Sequence, residues 1–522
     1  MNKISNRVYF SLIFIIIIFG IALCAFYGNK KEGYYIDEFY SITRANGTGI
    51  GIAVETGKWN DTSAFLEELV STGEENYSFT QVYNNCGFHP PFYHYLLHFT
   101  SSVFAGVFSK WIGIGTNILV YVIFMLLSWY VIWRISDENK ILTIYTLFIL
   151  GISPCVISQV MFIRMYLTLG MFTMWYVYLH IRDLDRDKIS VFGFLIPVCV
   201  CGFLGFMTMY YFVIIMFIMT FMYFFYMLVF CKKYLRALVY GIIATLSYVI
   251  SYLYFPVCIY YLKHGKGKSV INNLVDVQSN SNRLSFFYNL VNEHVFGGIM
   301  PLFILMLLIG ILLIVLKVKN GIAIKDLPLN VKYYILFGSS SIVYFLVMLK
   351  ATTKAGDTTN RYCFCVYPIF IILMILGTYK ILDRYKKIFS FPLLITMIII
   401  TFVTIMGYIN GQVMYLYEDR KVLNDWIDNH NDIPLVMIEN SGDYDAMIAD
   451  FIKYDKVYFA DCTDLTSLKN QEIIDSKQLL VYVDNNLDTD NKSIEYLLAN
   501  NNNIKERELI YDTGRYLVYH LY

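Results

Sequence analysis

Charge is scarce in this chain. Only 16% of its 522 residues are Asp, Glu, Lys or Arg, against about a quarter in an ordinary soluble domain, so much of it is too apolar for water. Neither sign prevails: 41 Lys and Arg face 40 Asp and Glu, for a net charge of +1. That balance removes any global electrostatic case for nucleic-acid binding. The 10 cysteines show no C-x-x-C or zinc-like spacing, and most lie in apolar runs (Cys155, Cys199, Cys201, Cys231, Cys258). A disulfide framework is therefore not indicated. Cys86 and Cys462 fall in polar segments, and only there does a bridge stay open. No Gly-rich phosphate loop and no nucleotide motif is recognisable. No internal repeat is obvious either, which disfavours many transporter folds.

What fills the chain instead is hydrophobic residues, 57% of the total. Uncharged apolar stretches of about 18 or more residues recur, the length a helix needs to cross a hydrocarbon core. They lie near 8–28, 112–133, 141–158, 161–181, 190–207, 209–231, 237–261, 295–316, 332–349, 362–379 and 389–414. The first follows Lys3 and Arg7 and lacks a small-residue cleavage signal, so it reads as an anchor rather than a removed signal peptide.

Residues 88–108 (FHPPFYHYLLHFTSSVFAGVF) are long enough to span. Yet His89, His94, His98, Ser101 and Ser102 give them a polar stripe suited to lying in the interface. Loop charge favours the interfacial reading. With eleven spans, the inner connections hold Lys3/Arg7, Arg134/Lys140, Arg182/Arg186/Lys188, Lys232/Lys233/Arg236, Lys317/Lys319/Lys325/Lys332 and Lys380/Arg384/Lys386/Lys387. Every one is basic, as the positive-inside rule asks. This topology puts the N-terminus in the cytoplasm, and the 29–111 loop, the 262–294 loop and the 415–522 tail outside.

The tail differs in kind. Charged and Asn-rich, it alternates strand-like runs (PLVMIE, KVYFAD, QLLVYV, RYLVYHLY) with helical ones (DYDAMIADFIKY, NKSIEYLLANN). That pattern predicts a small α/β domain, of about 100 residues, with its own core. The expected architecture is a polytopic α-helical domain over 1–414 and an extracytoplasmic α/β domain over 415–522.

Ionisable residues within a membrane are functional candidates by default. Here the span centres hold almost none, and the polar groups gather at the outer ends. After the first span, a helix over 35–46 puts Asp37, Tyr40, Ser41 and Arg44 on one face. A carboxylate there suits a general base, although an acidic pair facing water explains the same residues. His89-Pro90-Pro91 opens a helix whose unpaired N–H groups favour an anion such as phosphate. His94 and His98 at i, i+4 fit a metal or the wet face of an amphipathic helix. Arg164-Met165-Tyr166 begins a later span, where the Arg either snorkels to water or turns inward to an anion. Asn360-Arg361-Tyr362, beside Lys350, Lys354 and Asp357, places on the outer face an Arg suited to bidentate phosphate contact. The 262–294 loop, with Lys263, His264, Lys266, Lys268 and Glu293-His294, reads as a solvated basic loop, made mobile by Gly265 and Gly267.

Together, Ile36-Asp37-Glu38-Phe39-Tyr40, His89-Pro90-Pro91-Phe92-Tyr93-His94-Tyr95-Leu96-Leu97-His98, Arg164-Met165-Tyr166, Met209-Tyr210-Tyr211 and Arg361-Tyr362 resemble the layout of GT-C glycosyltransferases. The resemblance is to the bacterial members akin to protein O-mannosyltransferases and aminoarabinose transferases, and it covers residues 1–415. It implies transfer of a sugar, with inversion, from a polyprenyl-phosphate donor to an acceptor on the outer membrane face. Asp37 would be the base or acceptor-orienting carboxylate, with Glu38 supporting it. His89, Arg361 and Arg164 would meet the donor phosphate, and Tyr40, Tyr166, His98 and Tyr211 would assist. Relatives that bind a metal can carry an acid just before the HPP position. Phe88 stands there, so a divalent metal is left open and no other cofactor is implied. The histidine often found before the mid-chain tyrosine is Met209 here. Competing classes are a lipid or polysaccharide flippase, which needs polar groups at mid-bilayer, an outer-face wall-glycan polymerase or ligase, and a scaffold whose tail binds a partner.

Overall fold

The computed structural model describes all residues except 1–3, 50–51, 73–78, 187, 265, 276–279, 324–326, 353–355, 357, 441 and 443. Lys3, Lys325, Lys354, Asp357 and Gly265 thus lie outside the described residues, as does the side chain of Lys266. The chain forms two compact units, one of residues 1–27, 87–93 and 114–414, the other of 28–86, 94–113 and 415–522.

The first unit is helical. Among the described residues, eight helices are long and apolar enough to cross a membrane: Asn6–Lys30, Lys110–Ile135, Val191–Thr208, Phe212–Phe230, Tyr234–Tyr254, Met300–Lys319, Leu329–Ala351 and Pro392–Ile409. A ninth crossing is a broken pair, Lys140–Ile152 and Pro154–Met161, bent by 45°. The break follows from the sequence. Pro154 cannot donate to the preceding turn, and the Ser153 hydroxyl accepts from the Val156 N–H at 3.4 Å to start the second helix. The expected spans near 161–181 and 362–379 form the Tyr166–Leu184 and Tyr367–Arg384 helices. Both are less apolar than the eight, with Arg182 and Asp183 in the last turn of one, and Lys380, Asp383 and Arg384 near the end of the other. With these two and the bent pair, each of the eleven expected spans corresponds to a helix or helix pair of the described residues. The Tyr166–Leu184 helix is buried on nearly every side, whereas Met300–Lys319 exposes Leu305, Leu308 and Leu312, as a lipid-facing helix does.

The 262–294 segment is not the loop expected. It forms parts of three helices, Val257–His264, Lys266–Val275 and Asn280–His294. Arg283 Nη1 donates to the carbonyls of Leu349, Lys350 and Thr352 at 3.2, 3.3 and 2.6 Å. A cation there satisfies the last carbonyls of the Leu329–Ala351 helix and meets the negative end of its dipole.

In the second unit, a six-stranded sheet has β1 (Lys58–Asp61), β2 (Leu435–Ile438), β3 (Lys456–Ala460), β4 (Leu479–Asp484), β5 (Arg507–Asp512) and β6 (Tyr516–Leu521) in the order β1-β3-β2-β4-β6-β5. The central strands β2 and β4 are buried throughout and run parallel, so they read as continuous apolar runs rather than alternating ones. Val436, Ile438, Tyr458, Val481, Val483, Ile494 and Leu497 form part of the core beneath them. The edges are polar: β5 is largely exposed, and β1 comes from the segment between the first two long apolar helices to pair antiparallel with β3, Lys58 opposite Phe459. The four strand-like runs of the tail form β2, β3, β4 and β6. NKSIEYLLANN forms the Lys492–Asn500 helix, whose first N–H groups reach Asp488. DYDAMIADFIKY makes only a 3₁₀ turn and the short helix Ile448–Phe451. Asp450 there pairs with Arg420 at 2.5 Å and accepts from the Tyr482 hydroxyl at 2.9 Å.

The doubtful segment gives a helix of 12 residues, Phe92–Val103, too short to cross a bilayer. Its polar stripe is not wet. His94, His98 and Ser101 are buried, while Phe99, Val103 and Phe104 are exposed. All ten cysteines are free, so Cys86 and Cys462 form no bridge. Burial pushes the Cys86 thiol up to about 12.

Candidate functional site

The first unit joins four of the expected site residues through aromatic contacts. Pro90 and Pro91 hold His89 just ahead of the Phe92–Val103 helix, with its ring 6.4 Å from that of Tyr261. Phe88 and Tyr210 stack on the same Tyr261 ring at 5.9 and 5.4 Å, and the Tyr210 hydroxyl donates to the Phe88 carbonyl at 2.6 Å. Tyr211 packs edge-on against Tyr362 at 5.3 Å, and Tyr166 does so at 6.4 Å. The Arg361 guanidinium lies 5.1 Å over the Tyr362 ring and reaches its hydroxyl at 3.3 Å. Burial pushes the Tyr211 hydroxyl up, helped by Tyr362 and Tyr261 and opposed by the Arg361 charge. Tyr211 is therefore the electrostatic neighbour of both ends of this chain of rings.

Local sequence explains the placement. Asn360-Arg361-Tyr362 lies in a 3₁₀ turn ahead of the Tyr367–Arg384 helix. The turn is pinned by Tyr367, whose hydroxyl donates to Asn360 Oδ1 at 2.7 Å, and by Tyr344, which donates to the Tyr362 carbonyl at 2.8 Å. Arg361 is thereby buried at 8% exposure. Arg164, in the turn before the Tyr166–Leu184 helix, is buried at 5%, so it does not snorkel to water. A buried guanidinium beside aromatic hydroxyls is a ready anion partner.

Asp37, Glu38, Tyr40 and His98 belong to the second unit. Asp37 and Glu38 sit in the first turn of the Ile36–Asn46 helix, where the helix dipole favours carboxylates. They are not an equivalent pair facing water. Asp37 is half-buried, while Glu38 is fully buried and ion-paired to Lys31 at 3.0 Å. Its Oε2 also accepts from the Tyr35 N–H at 2.6 Å, reaching back to the residue that starts the helix. The Arg44 guanidinium lies 5.5 Å from the Tyr40 ring, on the face shared with Asp37. His98 is buried, with its carbonyl accepting from Ser102 at 2.8 Å.

Lys31 and Tyr261 were not singled out in sequence, and Tyr362 was named only as the neighbour of Arg361. For Lys31 the signal was present: Lys30-Lys31 is basic at the expected outer end of a span, against the positive-inside rule, and such a cation asks for a partner. Tyr261 is one among 46 tyrosines, and only the fold distinguishes it. Among the described residues, no group of three or more His, Cys, Asp or Glu side chains is placed to hold a metal ion.

No protein-family model and no curated protein matches the sequence. Solved structures do resemble it. The ArnT structure from Cupriavidus metallidurans bound to undecaprenyl phosphate aligns at TM-score 0.53 and 12% identity, over 96% of this chain and 97% of that one. The archaeal oligosaccharyltransferase AglB from Archaeoglobus fulgidus, in complex with an inhibitory peptide and a dolichol-phosphate, aligns at 0.49 and 9%, over 94% of this chain and 71% of that one. The likeness is one of fold: this multi-pass membrane protein shares the architecture of that ArnT structure.

Proposed function

We propose that the protein is an inverting glycosyltransferase that moves a sugar from a polyprenyl-phosphate donor to an acceptor hydroxyl on the outer face of the membrane. The observation that carries this reading is the aromatic chain that joins His89, Tyr211, Tyr166 and Arg361 in one unit of a GT-C fold. The ArnT structure of the same fold was solved with undecaprenyl phosphate, which supports a carrier of that class.

In this scheme Asp37 takes the proton of the acceptor hydroxyl as its oxygen attacks the anomeric carbon. The bond from that carbon to the phosphate oxygen breaks on the opposite side, inverting the configuration, and the polyprenyl phosphate departs with the electron pair. Its growing charge is met by Arg361, with His89 and Arg164 as further donors. Such preorganised donors act where charge develops and cost no reorganisation in the transition state. Tyr211 and Tyr362 orient the Arg361 guanidinium, and apolar helices accommodate the polyprenyl tail.

The test is transfer in vitro. Purified protein in nanodiscs is expected to transfer label from polyprenyl-phosphate sugars, and not from nucleotide sugars. Use of nucleotide sugars alone would overturn the reading. The outward orientation belongs to the same proposal.

A further inference from the structure

We propose that Lys31 is a positioning residue for Asp37. In this inference the Lys31–Glu38 pair fastens the first turn of the Ile36–Asn46 helix to the backbone at Tyr415. It rests on the reading of Asp37 as the acceptor base.

Lys31 is fully buried. Its Nζ lies 3.0 Å from Glu38 Oε2 and 2.7 Å from the Tyr415 carbonyl, and 5.5 and 5.6 Å from the centres of the Tyr34 and Tyr417 rings. Burial pulls the ammonium down from its ordinary value, and Glu38 opposes that shift. Two charges taken out of water gain little net stability over apolar residues of the same volume. What the pair adds is geometry. Glu38 Oε2 is shared between Lys31 and the Tyr35 N–H, so the residues on both sides of Asp37 are fixed at one oxygen. The backbone that carries Asp37 cannot shift without breaking that contact.

The other end of the fastening is held in a conformation that side chains rarely adopt. Tyr415 and Tyr417 have φ of +66° and +52°, in the left-handed region that is costly for any residue with a Cβ. Lys31 holds the first through its carbonyl and lies over the ring of the second. The Glu32 N–H donates to the Leu416 carbonyl at 2.7 Å between them. Gly33 permits the approach: a Cβ there would stand 2.8 Å from Arg420 Cδ and 2.9 Å from Tyr417 Cβ. Such outliers persist where the surroundings over-determine them, and they cluster at functional sites.

The experiment compares E38Q, K31M and K31M/E38Q with the wild type, as full-length protein in nanodiscs, by transfer from a polyprenyl-phosphate sugar. Glutamine keeps an acceptor for the Tyr35 N–H, and the double variant leaves no buried charge alone. The expected result is a kcat lowered about 10–100-fold with the donor KM within about 2-fold, and a double variant no slower than K31M, since the two residues act as one unit. Hydrogen exchange at amides 36–40 is expected to quicken in E38Q whether or not a donor is turned over. A kcat at the wild-type level in E38Q or the double variant would overturn the inference, and so would unchanged exchange. D37N separates the two claims. Full activity in D37N refutes Asp37 as the base, whereas an inactive D37N beside a fully active E38Q refutes only the role of Lys31.

Discussion

Arg361 is the cation on which the leaving-group argument depends, and its replacement tests that argument quantitatively. The guanidinium is 8% exposed and lies 5.1 Å over the Tyr362 ring, so it waits in place rather than being recruited from water. Removing one preorganised donor from a developing oxyanion typically costs about 2.7–4 kcal/mol, or about 10²–10³ in rate. R361M is expected to lose that much kcat. R361K keeps the charge but loses the planar fork and the stacking, and should fall between the two. Y362L leaves the guanidinium in place without its platform. A cation–π contact of about 0.5–1 kcal/mol then predicts a loss of about 2–5-fold. The assay is the initial rate of polyprenyl-phosphate release at saturating donor, on variants whose elution and melting match the wild type. A well-folded R361M within about 3-fold of the wild type would refute the assignment, because no uncompensated donor of this kind is that cheap.

Other outcomes follow from the same geometry. G33A puts a Cβ 2.8 Å from Arg420 Cδ and should destabilise the protein by about 1–3 kcal/mol, as overpacking does; an unchanged melting temperature would contradict the close approach. Cys86, buried with its thiol pushed up to about 12, carries almost no thiolate at pH 8, so maleimide should label it only after unfolding, well after the half-buried Cys462; prompt native labelling would show the site is open. A membrane-impermeant thiol reagent on intact cells should modify a single cysteine introduced at exposed Asp490, and not one introduced at Lys387, if the tail is outside; the reverse pattern would invert the topology.

How much of this was legible in sequence depends on how local each cause is. The runs that became β2, β3, β4 and β6 announced themselves as apolar segments bounded by polar ones. β1 did not, because KWND is four polar-edged residues and its partner β3 lies some four hundred positions away; only the long-range pairing makes it a strand. The eight apolar helices could be read from length and hydropathy alone. The stretches near 161–181 and 362–379 also form helices, and these run on into Arg182-Asp183 and Asp383-Arg384, charged last turns beyond the apolar run. In the Phe92–Val103 helix the periodicity was read correctly and its orientation was not: His94 and His98 do share a face, but that face turns into protein. The Asp37-Glu38 pair shows the same limit. Spacing set the two acids side by side, while their division into one half-buried carboxylate and one locked to Lys31 depends on Tyr415, far along the chain.

The central claim is that Asp37 removes a proton while Arg361 and its neighbours receive a lipid phosphate. The most direct measurement is single-turnover release of polyprenyl phosphate from a labelled donor by wild type and D37N in nanodiscs. General-base catalysis contributes about 10²–10⁴-fold, so D37N should release the lipid at least about 100 times more slowly while binding the donor as tightly. Equal release by the two proteins would contradict the account.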